Sequence, residues 1–346
     1  MAEPPRVAIF GAGSVGCFIG GAWAAAGVPV TFIGRERIAA EVGEHGLTLS
    51  DYGGWRVRLD RPDFTTKAAA LKRADIIALC VKSTATASAA REIARNASKG
   101  ALVVSFQNGV SNVDTLRAAF KDRFEAVRGM VPYNVAHLGQ GRFHKGVAGD
   151  LVAKDVPLLS ALAEAVGLGP AQLRLEKDMA AIAWGKLLIN LNNAVNALSG
   201  RTLLEQLKQR DYRRVVAASI VEALRLLDEA GIEPATIGPV PPKLLPHVIG
   251  SPNFVFNNLF LRIQKIDAKA RSSMADDLRA GRPTEIDYLN GEVVKLARRL
   301  KRPAPVNEAI VALIRQAEAG VEHLWEPAQL SAHVLQGHPV AQIFGY

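Results

Sequence analysis

In the segment WGKLLINLNNAVNALSG, residues 184–200, a lysine and several amides interrupt a run of Leu, Ile, Val and Ala. Lys186 and Asn190 stand four residues apart and Asn193 follows at i+7, so an unbroken helix carries all of them on one face. Such a stripe offers a proton donor and uncharged amides, enough to hold a small anion and protonate it. The same pattern also describes a polar helix face turned to water, and spacing alone allows either. Phosphate chemistry is suggested by VAIFGAGSVG, residues 7–16, where an apolar stretch runs into glycines at 11, 13 and 16. Gly11 permits a sharp turn, Gly13 lets backbone approach a pyrophosphate, and Gly16 packs helix on strand. The loop of Gly11, Ala12, Gly13, Ser14, Val15 and Gly16 therefore reads as a dinucleotide cradle at a helix N-terminus.

Both sets need rigid elements to hold them. After VAIFG come a small-residue helix closing at Gly27, a second strand VTFI, and further apolar strands in ADIIALCVKS, GALVVSFQNG and AVRGMVPYN, with a helix over Ala85–Ala97 between them. This alternation predicts a parallel sheet with helices on both faces, and extra strands between Gln140 and Val152 close it. Beyond VGLGPAQ the chain turns helical, with YRRVVAASIVEALRLLDEAG as its longest periodic stretch and PATIGPVPPKLLP (234–246) as a Pro-rich interruption. The expected fold is α/β: an N-terminal Rossmann-type doubly wound sheet over 1–175 and a C-terminal all-α domain over 176–346. The last two dozen residues read as an appended tail.

Within that frame, Lys82 and Asn108 fall at the carboxyl ends of strands, where such sheets bind ligands. The second strand ends IGRER, with Arg35 where an NAD site often carries an acid, which favours NADPH through its 2'-phosphate; the other arrangement leaves Arg35 solvated and gives the ribose to Glu36. In SSMADDLRAGRPTEIDYLNG, Thr284 reads as a helix cap with Asp287 at the third helical position, and Glu285 is either a site acid or a first-turn acid favoured by the helix dipole.

Composition narrows the classes. The 346 residues carry a net charge of +9, but Lys and Arg are scattered rather than gathered on one face, which argues against nucleic acid and fits small anionic ligands. Two cysteines, Cys17 and Cys80, provide neither a disulfide framework nor a metal-ligand spacing, so no metal is expected. Apolar runs stop short of membrane-spanning length, and the first strand starts too early for a leader, which predicts a cytoplasmic protein with no membrane partner. The sequence leaves a homodimer open.

In order along residues 7–315, GAGSVG, the strand-end Lys82, QNG at 107–109, WGKLLIN at 184–190, and SSM followed by TEID and LNG together resemble the ketopantoate reductase (2-dehydropantoate 2-reductase) family. The resemblance implies an NADP-dependent oxidoreductase of pantothenate biosynthesis, with an NADPH and substrate cleft between its two domains. It implies that Lys186 is the proton donor, that Asn190 and Ser273 contact a small anionic 2-keto acid, and that Glu285 lies by cofactor and substrate as a second catalytic group. Lys82 and Asn108 match the family's cofactor contacts. The family usually repeats its Asn four residues after the first, yet position 194 is Ala; NALSG nominates Asn196, and helical geometry favours Asn193. The Pro-rich segment and NFVFNNLFLRIQKID (253–267) are longer than in shorter members and flank the SSM segment. Two other functions use the same residues: a paralogue reducing a different 2-keto acid, and an NADPH-binding sensor without catalysis.

Overall fold

The computed structural model describes residues 3–261, 267, 270–321 and 324–336. The chain divides into two compact units, Met1–Met179 and Ala180–Tyr346. The division falls just after the expected 175/176 boundary, because Leu173–Glu176 is still a strand of the first unit.

In the first unit, β1 (Val7–Phe10), β2 (Val30–Ile33), β3 (Leu47–Asp51), β4 (Arg56–Leu59) and β5 (Asp63–Thr65) are followed by β6 (Ile76–Leu79), β7 (Leu102–Ser105) and β8 (Glu125–Met130). Then come β9 (Val135–Gly139), β10 (Arg142–Lys145), β11 (Leu151–Lys154) and β12 (Leu173–Glu176). The main sheet has eight strands in the order β12-β11-β8-β7-β6-β1-β2-β5. Every neighbouring pair is parallel except β8 and β11. The central strands β1, β6 and β7 are buried along their whole length, as expected for strands covered on both faces.

The strands expected between Gln140 and Val152 separate into different sheets. β11 joins the main sheet, whereas β10 belongs to a four-stranded sheet of order β4-β3-β10-β9. This second sheet was not legible because β3 and β4 lie far from β9 and β10 in sequence and pair only in the fold. Its consequence falls on α1 (Ser14–Ala25), which packs against both sheets. A Cβ on Gly20 would come 2.5 Å from Ile9 Cγ1 in the main sheet, and one on Gly21 would come 2.6 Å from Leu49 Cδ1 in the second. Two consecutive glycines, about 100° apart around the helix axis, let one helix lie close to two sheets. At its end, Trp23 is fully buried and its Nε1 donates to the Ala171 carbonyl at 2.9 Å.

The second unit is helical: α6 (Met179–Asn190), α7 (Asn192–Ser199), α8 (Leu203–Lys208) and α9 (Arg210–Glu229) follow α2 (Glu36–His45), α3 (Thr86–Asn96), α4 (Asn112–Phe120) and α5 (Pro157–Val166) in chain order. After the Pro-rich connection come α10 (Leu245–Gly250), α11 (Asn253–Val255), α12 (Ser273–Arg279), α13 (Asn290–Leu300), α14 (Pro305–Glu318) and α15 (Pro327–Leu335). The tail is therefore not simply appended. α15 packs on α9, Tyr212 Oη donates to the Trp325 carbonyl, and Arg201 pairs with Glu326 at 2.9 Å. Residues beyond 336, and 262–266 of the NFVFNNLFLRIQKID stretch, lie outside the described residues.

The TEID segment also departs from expectation. Thr284 Oγ1 accepts from Ile286 N at 3.2 Å, but the next element is a short 3-10 turn, Ile286–Tyr288, and the α-helix begins only at Asn290. Asp287 serves no capping box because Arg315 holds its carboxylate at 2.7 Å. Thr284 N is instead satisfied by Glu318 Oε1 at 2.7 Å.

The glycine contacts predict opposite signs for two Gly→Ala substitutions. Gly20→Ala should destabilise by about 1–3 kcal/mol in urea unfolding, because its methyl must displace buried Ile9 and Phe32. Gly43→Ala, exposed in α2 with nothing within 4 Å of the new Cβ, should instead stabilise by up to about 1 kcal/mol.

Candidate active site

The loop after β1 has the conformation its glycines require. Gly11 has φ +102°, and a Cβ there would come 2.5 Å from Val81 N at the end of β6. A Cβ on Gly16 would meet the Gly11 carbonyl at 2.5 Å and Ile9 Cγ2 at 2.9 Å, which is the close helix-on-strand packing expected of the third glycine. Gly13 differs from both. It is the N-cap of α1, makes no side-chain cap, and has nothing within 4 Å of its missing Cβ. The first turn of α1 therefore has no side-chain cap, and the space beside Gly13 is open, an arrangement that suits an anion. Arg35 is exposed at the N-cap of α2 and makes no ion pair among the described residues, leaving its guanidinium available to a phosphate. Lys82 and Asn108 follow β6 and β7 at their carboxyl ends.

In the helical unit, α6 holds Lys186 half-buried between Trp184, Leu187 and Leu188, all three buried. The preceding Gly185 explains the approach: a Cβ there would lie 2.1 Å from the Ala235 carbonyl, so the Pro-rich connection rests directly on α6. Ala235 N also donates to the Ala181 carbonyl at 2.9 Å. Burial lowers the Lys186 ammonium from the ordinary lysine range to about 8, while the nearby Glu285 carboxylate works in the opposite direction. A lysine tuned in this way can give up a proton near neutral pH.

The expected unbroken helix is interrupted. α6 ends at Asn190 and α7 begins at Asn192, with Leu191 between them in helical conformation and its N–H still bonded to the Leu187 carbonyl at 3.0 Å. The asparagines on either side have different surroundings. Asn192 Oδ1 accepts from Gln206 Nε2 at 3.1 Å. Asn196 is fully buried; its Oδ1 accepts from Ser272 N at 2.9 Å and its Nδ2 donates to the Arg201 carbonyl at 3.1 Å. Both ends of the Asn196 amide are thus engaged inside the fold. The amides of Asn190 and Asn193 are half-buried and make no hydrogen bond among the described residues.

Ser272 joins these pieces. Its Oγ caps α12 by accepting from Ala275 N at 3.2 Å, and it lies 3.0 Å from the Asn193 carbonyl. Ser273, the next residue, is exposed beside this junction. The structure therefore brings Asn193 and Ser273 into one neighbourhood and directs Asn196 into the packing beneath them. Gly185 and Ser272 lie inside the W-G-K and SSM motifs, and the structure gives each a positioning contact that the motifs alone did not assign. Their signals were present, as the glycine of W-G-K and as a serine just before a helix.

The description of the ketopantoate reductase PanE/ApbA family matches residues 7–157, and that of its C-terminal domain matches residues 178–318. The chain belongs to the ketopantoate reductase family. It is 27% identical over 324 residues to the 2-dehydropantoate 2-reductase of Halobacterium salinarum, covering 90% of this chain and 99% of that one. It is 26% identical to the enzyme of the same name from Pyrococcus abyssi, covering 91% and 98%. A PanE/ApbA family ketopantoate reductase from Ralstonia eutropha has a solved structure that superposes with a TM-score of 0.77 at 28% identity, covering 91% of this chain and 99% of that one. As a ketopantoate reductase family member, this protein is an oxidoreductase of an NAD(P)-dependent family. The family also includes a ketopantoate reductase from Staphylococcus aureus described as dimeric. Among the described residues, no helix is long and apolar enough to cross a membrane.

The two asparagines should separate in a single pair of variants. Asn196→Ala leaves a buried N–H and a carbonyl unpaired and should cost about 1–3 kcal/mol in urea unfolding. Asn193→Ala should change stability by less than about 0.5 kcal/mol and raise KM for a 2-keto acid. Equal stability losses would contradict this division.

Proposed function

We propose that the protein reduces 2-dehydropantoate to pantoate with NADPH, in the cytoplasm, with Lys186 as the proton donor. The observation that carries this reading is a half-buried lysine lowered to about 8, next to Glu285 and on the same helix as an unengaged asparagine. When bound, NADPH would supply the hydride that the carbonyl carbon takes up. The loop of Gly11 to Gly16 would hold its pyrophosphate, Arg35 its 2'-phosphate, and Lys82 and Asn108 further parts of the cofactor. The open face at Gly13 and the uncapped first turn of α1 support that fit.

On the substrate side, the Lys186 ammonium hydrogen-bonds the keto oxygen and delivers its proton as negative charge develops there. Asn190, Asn193 and Ser273 bind hydroxyl and carboxylate groups without adding charge. Glu285 keeps the ammonium protonated and orients it. Asn196 acts one step away by holding the Ser272 backbone, and through it the position of Ser273.

The pH dependence has a definite sign. A general acid works while protonated, so kcat should be sustained below pH about 8 and fall as pH rises through that value. Glu285→Gln removes the charge that favours the ammonium form and should move this limb to lower pH. Lys186→Ala should reduce single-turnover hydride transfer by at least ~10^2-fold with NADPH affinity nearly unchanged. Near-normal transfer by that variant would leave the proton donor elsewhere.

Arg35→Ala tests the choice of cofactor. It should weaken NADPH binding roughly 10–100-fold and leave NADH binding unaltered, as loss of a charge-assisted bond to a group that NADH lacks. Equal loss for both nucleotides would overturn the assignment. Initial rates with NADPH across a panel of 2-keto acids test the substrate, with 2-dehydropantoate expected to have the highest kcat/KM.

A further inference from the structure

Beneath the turns that carry Lys82 and Asn108 lies a buried polar network that the proposed reaction does not use. Ser83, Thr86, Gln107 and Asn112 range from 0% to 8% exposed. Gln107 Nε2 donates to Thr86 Oγ1 at 2.8 Å and to the Val81 carbonyl at 3.1 Å, while Gln107 Oε1 accepts from Ser105 Oγ at 2.9 Å. Asn112 Nδ2 donates to the Asn108 carbonyl at 2.5 Å and to Ser83 Oγ at 3.3 Å. Ser83 Oγ donates to that same Asn108 carbonyl at 2.9 Å. Thr86 Oγ1 stands 2.8 Å from both Asn112 Oδ1 and the Ser83 carbonyl.

An inventory of protons makes the members interdependent. The Asn108 carbonyl can only accept, so Asn112 must turn its NH2 group there and its Oδ1 toward Thr86. The Val81 carbonyl can likewise only accept, so Gln107 must turn its NH2 group toward Val81 and Thr86 and its Oε1 toward the Ser105 hydroxyl. Thr86 therefore accepts from Gln107 and has one proton for Asn112 or the Ser83 carbonyl. What the network joins is specific: the turn after β6, the turn after β7, and the first residues of α3 and α4. Gly109, beside Asn108, has φ +89°, so the second turn also contains a left-handed residue. Apolar side chains could fill this space without the desolvation of so many polar groups. A connected hydrogen-bond network adds directionality, which fixes the turns in one arrangement.

We propose that Thr86 and Asn112 are positioning residues that lock the Lys82 and Asn108 turns together and so set the spacing at which both meet the dinucleotide. This rests on the reading of Lys82 and Asn108 as cofactor contacts. Thr86→Val conserves shape and removes the hydroxyl, so Gln107 Nε2 keeps only its bond to the Val81 carbonyl and Asn112 Oδ1 loses the Thr86 donor; Thr86→Ser keeps the hydroxyl. In fluorescence titration, Thr86→Val should weaken NADPH binding roughly tenfold, and in kinetics it should raise KM for NADPH more than it changes kcat. Without any nucleotide, amide exchange over residues 82–86 and 108–110 should be faster in this variant, and Thr86→Ser should restore all three readouts.

Wild-type affinity together with wild-type exchange in Thr86→Val would overturn the proposal, as would a Thr86→Ser variant as impaired as the valine. If Thr86→Val does not fold, Asn112→Asp provides the same test: it keeps Oδ1 and loses the donor to the Asn108 carbonyl, and unchanged NADPH affinity there overturns the proposal. Failure of the underlying reading looks different. A wild-type protein that binds no dinucleotide removes the purpose given to the lock, whereas the exchange rates of the unliganded variants still report whether the lock exists.

Discussion

In the proposed reaction Lys186 releases a proton near neutral pH, a role that requires keeping it partly out of water, and the helical unit does so. Desolvation alone would favour the neutral amine, and Glu285 restrains the shift, so the balance of the two lies at about 8. Next to Lys186 the chain also approaches α6 closely. Gly185 has no side chain because the Ala235 carbonyl occupies its place, and that contact brings the Pro-rich connection against the helix one residue before Lys186. The connection is thus packed on α6 at Gly185 and Ala181 rather than being a free spacer between helices.

In the first unit the corresponding constraint is close approach of backbone. Gly11, Gly16, Gly20 and Gly21 each meet an atom within 3 Å of where a Cβ would be, so α1 is pressed against β1, the end of β6 and the second sheet. A helix held on both sides has little freedom to tilt. Its N-terminus, and the open space at Gly13, therefore have a fixed orientation before any ligand arrives. The network around Thr86 and Asn112 does the same work for the neighbouring turns, using hydrogen bonds where α1 uses glycine contacts.

Much of this could be read from sequence because local signals agreed. Apolar strands alternating with helices identified β1, β2, β6, β7 and β8, and the glycine spacing matched the turn that formed after β1. What escaped was nonlocal. β3 and β4 pair with β9 and β10 across long stretches of chain, and neither half of the second sheet announces the other. The TEID turn misled for a related reason: Arg315 and Glu318, from a later helix, take the partners that a local capping box would have used. At the site, side-chain type marked the region but not the use of each residue. Asn193 and Asn196 are the same amide three positions apart, and residue type does not distinguish them.

What distinguishes them is whether the fold already satisfies them. Buried polar groups in a stable protein find partners, and Asn196, Ser272, Gln107, Thr86 and Asn112 all do, with distances that leave little room for a ligand to compete. Asn190 and Asn193 sit half-buried on a largely apolar helix without such partners among the described residues, and Arg35 at the N-cap of α2 makes no ion pair among them. Local choices that do not serve folding concentrate where function is carried out. On that physical ground the proposed reaction assigns substrate contact to Asn193 rather than Asn196, even though the motif NALSG points the other way. The Asn196 contact to Ser272 then gives the motif a different meaning: it preserves the support for Ser273, so a residue that touches no ligand can still be required where it is.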